Sequence, residues 1–496
     1  TTVWINGVEV MRHRGGFTPF VCDLGKVLKP GEGQFTIVLR ARDGMRQPQA
    51  RGKQSPAYAN FGCLYTRTTG IWQTVWMEPV ADAYLGRARI TPDLPITTFR
   101  VEMPVIDAKP GYLLVASLGD GSGEICRTQV KLGLGMSTRL DLVISADRLR
   151  LWQPGAPFLY NLEFVLLDGE GKMVDRVKSY AGMRSLAIDG QRILINGQPV
   201  FQRLVLDQGF YPDGILTAAS DEVLEKDILL SLEAGFNGAR LHQKVFEERF
   251  LYHADRLGYL VWGEFPDWGC SGFGAMPEHQ QPNASYITQW LEAMERDYSH
   301  PSIIGWCPLN ETWQVITDRI TQLDDVTRGM YLATKAFDQS RPVLDASGYS
   351  HRVYDLDVYD SHTYEQDVTR FAEEVGGLAQ GRPFANRNEQ GEFSLPYQGQ
   401  PYMVSEFGGI WWNPQARQDE DSWGYGSRPV SIDAWYERFA GLCNTLLDDP
   451  LMFGYCYTQL TDVFQEQNGI YNFNRQPKFD LARLRTIQQR TAAFEK

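Results

Sequence analysis

Two glutamates stand where a carboxyl group could do chemistry. In residues 300–313, HPSIIGWCPLNETW, an apolar run breaks off at Asn310-Glu311, and in 401–405 a second run breaks off at Glu406-Phe407-Gly408-Gly409. Short apolar runs of this kind read as buried strands. Each carboxylate is therefore expected at a strand end, where barrel enzymes carry their catalytic groups. Taken singly, a strand-end glutamate is more often a solvated surface residue. As a pair, the two could divide the roles of acid/base and nucleophile.

The elements that must hold these carboxylates follow from periodicity. After Gly190, strand-like runs alternate with helical patterns, the mark of a parallel β/α arrangement. Strands are expected at 200–206, 236–241, 259–263, 303–308, 343–346, 358–361, 402–405 and 453–457, after an Asn196-Gly197 hairpin. Helices are expected at 221–234, at 247–257 capped by Gly258, around Ile287 to Met294, and from about 315 to 337. Eight strands with helical connections make a (β/α)8 TIM barrel over 187–496. On this count Glu311 follows strand four and Glu406 follows strand seven. Two long polar loops, 376–400 and 413–431, flank the strand of Glu406 and are expected to wall a pocket. Residues 1–80 read as β, with an Asn6-Gly7 hairpin turn, and 81–186 as short alternating strands of a β-sandwich.

Both glutamate stretches resemble signatures of glycoside hydrolase family 2. That family's acid/base motif runs HPS(I/V)-x-x-W-x-x-x-NE, and its nucleophile lies in an apolar strand ending E-(F/Y)-G. The order VWINGVEV, GGFTPFVCDL, LKPGEGQFTIVLR, TGIWQTVWMEPV resembles the second half of the family's N-terminal jelly-roll domain, so 1–80 is expected to be a partial, N-terminally truncated jelly roll with open strand edges. The pattern Pro157-Phe158-Leu159-Tyr160 with Gly182-Met183-Arg184 resembles the family's immunoglobulin-like domain.

The resemblance implies a retaining, exo-acting β-glycosidase working by double displacement, with Glu311 as general acid and later base and Glu406 as nucleophile. It implies that Asn310 binds the sugar 2-hydroxyl. His362 and Tyr364, at the end of strand six, and Asp207, at the end of strand one, fall where the family has sugar-facing groups. Arg240 is a partner for the nucleophile. His242 departs from the family's R-x-x-H spacing, because the sequence reads Arg240-Leu241-His242. Glu264, Asp267 and Trp268 share the rim, and Tyr457 with Trp412, or else Trp411 or Trp423, would supply an aromatic face for the sugar.

Members that cleave glucuronides carry an Asn-x-Lys before a Gly-Ile-Phe-like segment. Here Gly469-Ile470-Tyr471 is preceded by Glu466-Gln467-Asn468, so a neutral sugar is expected, with β-galactosidase favoured. β-Glucuronidase, β-mannosidase, arabinosidase and a non-catalytic carbohydrate-binding relative remain the alternatives. Were a uronate to bind, Arg475 or Lys478 would be the cations to reach it.

A chain of 496 residues should hold two to four domains. A net charge of −13 without a basic cluster argues against nucleic acid as partner, and no apolar run is long enough to span a bilayer. The expected partner is a carbohydrate, with homo-oligomerisation left open. Seven scattered cysteines without CxxC spacing read as reduced thiols of a cytoplasmic protein. No His/Asp/Glu cluster has metal-ligand spacing, so neither metal nor cofactor is expected.

Overall fold

The structure is a computed structural model and describes all residues except 30, 32, 45–48, 134, 136, 269–281 and 415–421. Seven strands form one parallel sheet. In chain order the barrel strands one to four are Gln202–Asp207, Gly238–Leu241, Leu260–Glu264 and Ile303–Cys307, and six to eight are Tyr359–Thr363, Tyr402–Gly408 and Met452–Thr458. Strand one pairs with both two and eight, so the first and last strands of the barrel adjoin, and the edges of the sheet are strands four and six. Every residue of strands one, two, four, six, seven and eight is buried, as parallel strands covered on both faces must be.

The fifth position departs from expectation. Segment 343–347 forms only isolated parallel bridges to the strand-four side, Trp306 to Val343 and Asn310 to Ser347. On the strand-six side, side chains replace the ladder. Asp357 Oδ2 accepts from Val343 N (3.0 Å), and Asp360 accepts from Gly348 N and from Ser347 Oγ, each at 2.8 Å. A buried amide without a strand partner must find another acceptor, and these aspartates supply it.

The connecting helices follow the apolar stripes. Asp221–Glu233 and Glu248–Leu257 lie where expected, the latter closed by Gly258 at φ +70°. The helix expected from about 315 begins later, at Gln322–Phe337, because Thr321 caps it and Asp324 completes a capping box. Between them, 315–321 stay extended, with Ile316 N bonded to Glu392 O.

Ahead of the barrel, two antiparallel sheets pack face to face. One orders Thr138–Val143, Thr98–Met103 and Arg89–Asp93, and the other Met173–Ala181, Tyr160–Leu167, Leu113–Asp120 and Gly123–Lys131. Their inner faces meet in a core of their own that includes Phe99, Leu114, Leu142, Leu162 and Phe164. This sandwich is tied to the barrel by Trp152, which donates to Asp255 O (2.7 Å), and by Arg184, which donates to the carbonyls of Pro301 and Ile303.

At the N-terminus, Val8–Arg12, Thr2–Ile5 and Ile37–Arg40 form an open three-stranded sheet. The Asn6-Gly7 turn has φ of 49° and 82°, the left-handed geometry that a two-residue hairpin needs. Among the described residues Ile37–Arg40 pairs on one side only, and Ile37 and Val38 are 56% and 50% exposed. The expected open edge is present. Among the described cysteines none is paired, and Cys270 lies outside the described residues. No described helix is long and apolar enough to cross a membrane.

Candidate active site

Glu311 lies beyond strand four, beside the fifth segment, where its amide donates to Ser347 O (3.0 Å). It sits at φ +42°, a region non-glycine residues enter at a cost of roughly 1–2 kcal/mol. Its side chain is over-determined: Trp268 Nε1 donates to Oε2 (2.7 Å) and His362 Nδ1 meets Oε1 (2.6 Å). Glu406 lies within strand seven, opposite His362 where the register with strand six slips. Tyr364 Oη donates to its Oε2 (2.5 Å), and Arg240 Nη2 stands 3.1 Å from its Oε1. One side-chain oxygen of Glu311, one of Glu406 and a ring nitrogen of His362 all lie within 4.8 Å of one another. That trio is also a group that could hold a metal ion, and any ion there would occupy the glutamates' own lone pairs.

Arg240 is fully buried and holds the floor of the site. It donates to Glu264 Oε2 (2.6 Å), to Ser405 O (2.8 Å) and to Asn310 Oδ1. Burial works against its charge, but Glu264 and Glu406 outweigh burial and hold the guanidinium firmly protonated. His242 Nδ1 lies 3.1 Å from Arg240 Nη2, and burial, then the charge of Lys53, pushes this imidazole well below its usual pKa. His242 is therefore a neutral acceptor. His362 goes the other way, since Glu406 and Glu311 outweigh its burial and raise it. Burial pushes the Glu311 carboxyl up, yet the hydrogen bond and charge of His362, with the Trp268 bond, bring it below the usual range. Among the described residues Asn310 Nδ2 is buried without a partner, a donor available to a ligand.

Of the residues singled out from sequence, Glu311, Glu406, Arg240, His242, Asn310, His362, Tyr364, Glu264 and Trp268 converge through these contacts. Asp267 joins them through a bond from Asn310 N (3.3 Å). Asp207 is buried at the end of strand one, where its carbonyl accepts from His242 N (2.8 Å); its Oδ1 accepts from Gly209 N (2.9 Å), and burial, then Asp227, raises it to about 7. Tyr457 packs among Phe407, Phe439 and Phe236, with its hydroxyl at the Ile410 amide, so its ring is core and presents no face to a sugar. Trp412 is likewise buried, with Arg428 above its ring. Trp411 Nε1 donates to Ser422 Oγ (3.2 Å), and Trp423 Nε1 ties to Gly62 O (3.1 Å). The aromatic partner at the site is Tyr425, whose ring stacks on Tyr364 at 3.4 Å and 6°. Both long loops reach the site, through Tyr425 and through Asn386, which accepts from His362 N (3.0 Å). Residues 415–421 of the second loop lie outside the described residues.

Sequence reading missed the contribution of the N-terminal region. Segment 51–65 lies on the barrel face: Gly52 N donates to Pro266 O (2.9 Å), and buried Tyr65 bonds Glu466 and Gln208. Lys53 lies between them. Burial works against its ammonium, but the charges of Glu466, Glu406 and Glu311 outweigh it. No periodicity marks this coil, and a lone lysine carries no signal until its neighbours in space are known.

Residues 186–492 match the family profile described as "Glycosyl hydrolases family 2, TIM barrel domain", and 90–184 match "Glycosyl hydrolases family 2". The chain belongs to glycosyl hydrolase family 2. Among family 2 relatives, the beta-glucuronidase of Paenibacillus borealis is 27% identical over 333 residues, 62% of this chain and 53% of that protein. The beta-galactosidase of Thermoanaerobacter pseudethanolicus is 26% identical over 314 residues, 61% of this chain and 40% of that one. The chain thus spans about half the length of the curated relatives it matches. Among solved structures, β-glucuronidase from Ruminococcus gnavus with D-glucuronic acid bound superposes with a TM-score of 0.74 at 20% identity, covering 98% of this chain and 83% of that one. At that identity the likeness concerns the fold.

Proposed function

We propose that this family 2 chain is a retaining, exo-acting β-glycosidase, with Glu406 as nucleophile and Glu311 as acid/base. The observation that carries the reading is the approach of the two carboxylates, with oxygens within 4.8 Å. Such a gap lies near the about 5–5.5 Å of retaining pairs and short of the roughly 6.5–9.5 Å of inverting ones. In the first step Glu406 attacks the anomeric carbon while a proton from Glu311 goes to the leaving oxygen, and a glycosyl ester forms on Glu406. In the second, Glu311 takes a proton from water, the water oxygen bonds the anomeric carbon, and the ester bond breaks to restore Glu406.

The proton for the first step resides on the Glu311–His362 pair, whose contact is 2.6 Å. Arg240 and Tyr364 orient Glu406, and the free Nδ2 of Asn310 is placed to donate to a sugar hydroxyl. The chemistry calls for neither metal nor cofactor. The missing Asn-x-Lys removes one contact for a uronate and keeps a β-galactoside among the candidate substrates. The names of the relatives also bring in a β-glucuronide, which needs a cation from elsewhere in the chain.

Glu406→Gln removes the nucleophile at nearly constant shape. It should abolish turnover of nitrophenyl glycosides while sugar binding persists. Product anomers followed by NMR from the first minutes should show the β-anomer first; initial release of the α-anomer from a β-glycoside would mean inversion and remove Glu406 from this role.

A further inference from the structure

We propose that Lys53, delivered from the N-terminal region onto the barrel face, fits the site to a sugar that bears a carboxylate, a β-uronide. The proposal rests on the glycosidase reading above and names its substrate class.

The backbone on either side of Lys53 is pinned to the barrel. Gly52 takes φ +58°, and a Cβ there would lie 2.3 Å from Gln243 O, so only glycine allows this approach to the loop after strand two. Its amide bonds Pro266 O, after strand three, while Lys53 O accepts from Tyr65 N (2.9 Å), whose own hydroxyl is anchored on Glu466 after strand eight. The Lys53 ammonium lies 5.8 Å from the centroid of Trp268, the indole that donates to Glu311. The cation and the acid therefore share one aromatic ring.

Among the described residues Lys53 has no committed partner: its ammonium has no ion pair within bonding distance and no hydrogen-bond acceptor. Glu466, the strongest of its charged neighbours, has both oxygens taken, by Tyr65 Oη and Asn468 Nδ2. Three other cations of the barrel are engaged. Arg240 is spent on Glu264, Asn310 and Ser405 O. Arg475 is spent on Asp227 (3.0 and 3.1 Å) and Phe210 O, and Lys478 on Asp462 (2.7 Å) and Gln467 O. The two cations that sequence pointed to for a uronate are therefore held away from one, and a third is offered.

Removing an ammonium from water is costly unless a counter-charge meets it. With a neutral hexoside the ammonium keeps only the unbonded charges of Glu466, Glu406 and Glu311 to offset that cost. A uronate would meet it, and it also needs the cation, because Glu264, Glu311, Glu406 and Glu466 would otherwise repel a further carboxylate.

The test compares wild type, Lys53→Met, Lys53→Gln and Lys53→Arg on 4-nitrophenyl β-D-glucuronide, β-D-galacturonide, β-D-glucoside and β-D-galactoside. Wild type should favour one uronide over its neutral counterpart. The Met and Gln variants should lose about ten- to hundredfold in kcat/KM on that uronide, chiefly through KM, and far less on neutral sugars, with Arg restoring part of the loss. An equal loss on both classes, or a wild type that prefers neutral glycosides, would overturn the proposal and leave Lys53 as an offset to Glu466. Calorimetric binding of D-glucuronate and D-glucose forms a separate arm. If no glycoside is turned over, the glycosidase reading fails on its own, and binding still decides: glucuronate weakened selectively by Lys53→Met supports the role, and glucuronate bound equally by both proteins ends it.

Discussion

At the scale of single residues, the site depends on how tightly Glu311 and His362 are held together. Gly348 sits at φ +79°, and a Cβ added there would lie 2.4 Å from His362 Nδ1, the atom that meets Glu311. Gly348→Ala should push the imidazole away and lower kcat on the order of a hundredfold, the penalty expected for misplacing a catalytic group by about 1 Å. Steady-state kinetics with a crystal structure of the variant would check it; unchanged kcat with a displaced ring would remove His362 from catalysis. Glu311→Ala acts differently. A phenolate leaves with little help from a proton, so activated nitrophenyl substrates should suffer less than alkyl glycosides, and azide placed in the vacated space should raise turnover and yield a glycosyl azide. No response to azide would count against Glu311 as the acid/base.

Among elements, the weak joint is the fifth position of the barrel. There the bonds to strand six come from Asp357 and Asp360, and buried His351 stands behind them, with Nδ1 2.7 Å from Asp345 and Nε2 3.2 Å from Asp360. Burial works against the imidazolium, but Asp345 and Asp360 outweigh it and raise His351 from 6.5 to about 10. Burial would lift Asp360, but His351 brings it down to about 2 from 3.8. A raised histidine stabilises fully below its unfolded pKa and loses that contribution as pH climbs through the folded one. A depressed aspartate is the mirror case, so the joint should be strongest between about pH 4 and 6.5. His351→Gln strands two buried carboxylates and should cost about 3 kcal/mol or more near pH 6. In urea titrations the wild-type advantage over the variant should shrink from pH 7 to 10. A constant difference across that range would show that His351 is neutral in the fold.

Across the whole molecule, the N-terminal region has two faces with different fates. One, 51–65, is bound into the barrel face through Gly52, Tyr65 and the Trp423 bond to Gly62. The other ends in the open strand Ile37–Arg40, with Val75, Trp76 and Met77 also largely exposed, 76%, 65% and 71%. An unpaired apolar edge invites association with another chain. Val38→Lys should therefore reduce concentration-dependent self-association, read by light scattering, without altering kcat. Unchanged association would locate the sticky surface elsewhere.

Sequence alone carried the barrel and its two glutamates, because each depends on local pattern. A buried parallel strand must be apolar from end to end, so a carboxylate that breaks the run marks the site, as Glu311 does beyond strand four and buried Glu406 does within strand seven. Arg240, Asn310 and His362 were legible only through the resemblance to family 2. Tyr457 and Trp412 were not: whether an aromatic ring faces a pocket or a core depends on which neighbours close over it, and Phe407, Phe439 and Arg428 close over these two. The fifth strand was legible as an apolar run, but its partners are aspartate side chains, which no strand pattern announces. Lys53 depended on tertiary structure most of all. It is separated from Glu406 by more than half the chain, and a charge acquires meaning from distance in space, which only the folding of segment 51–65 onto the barrel supplied.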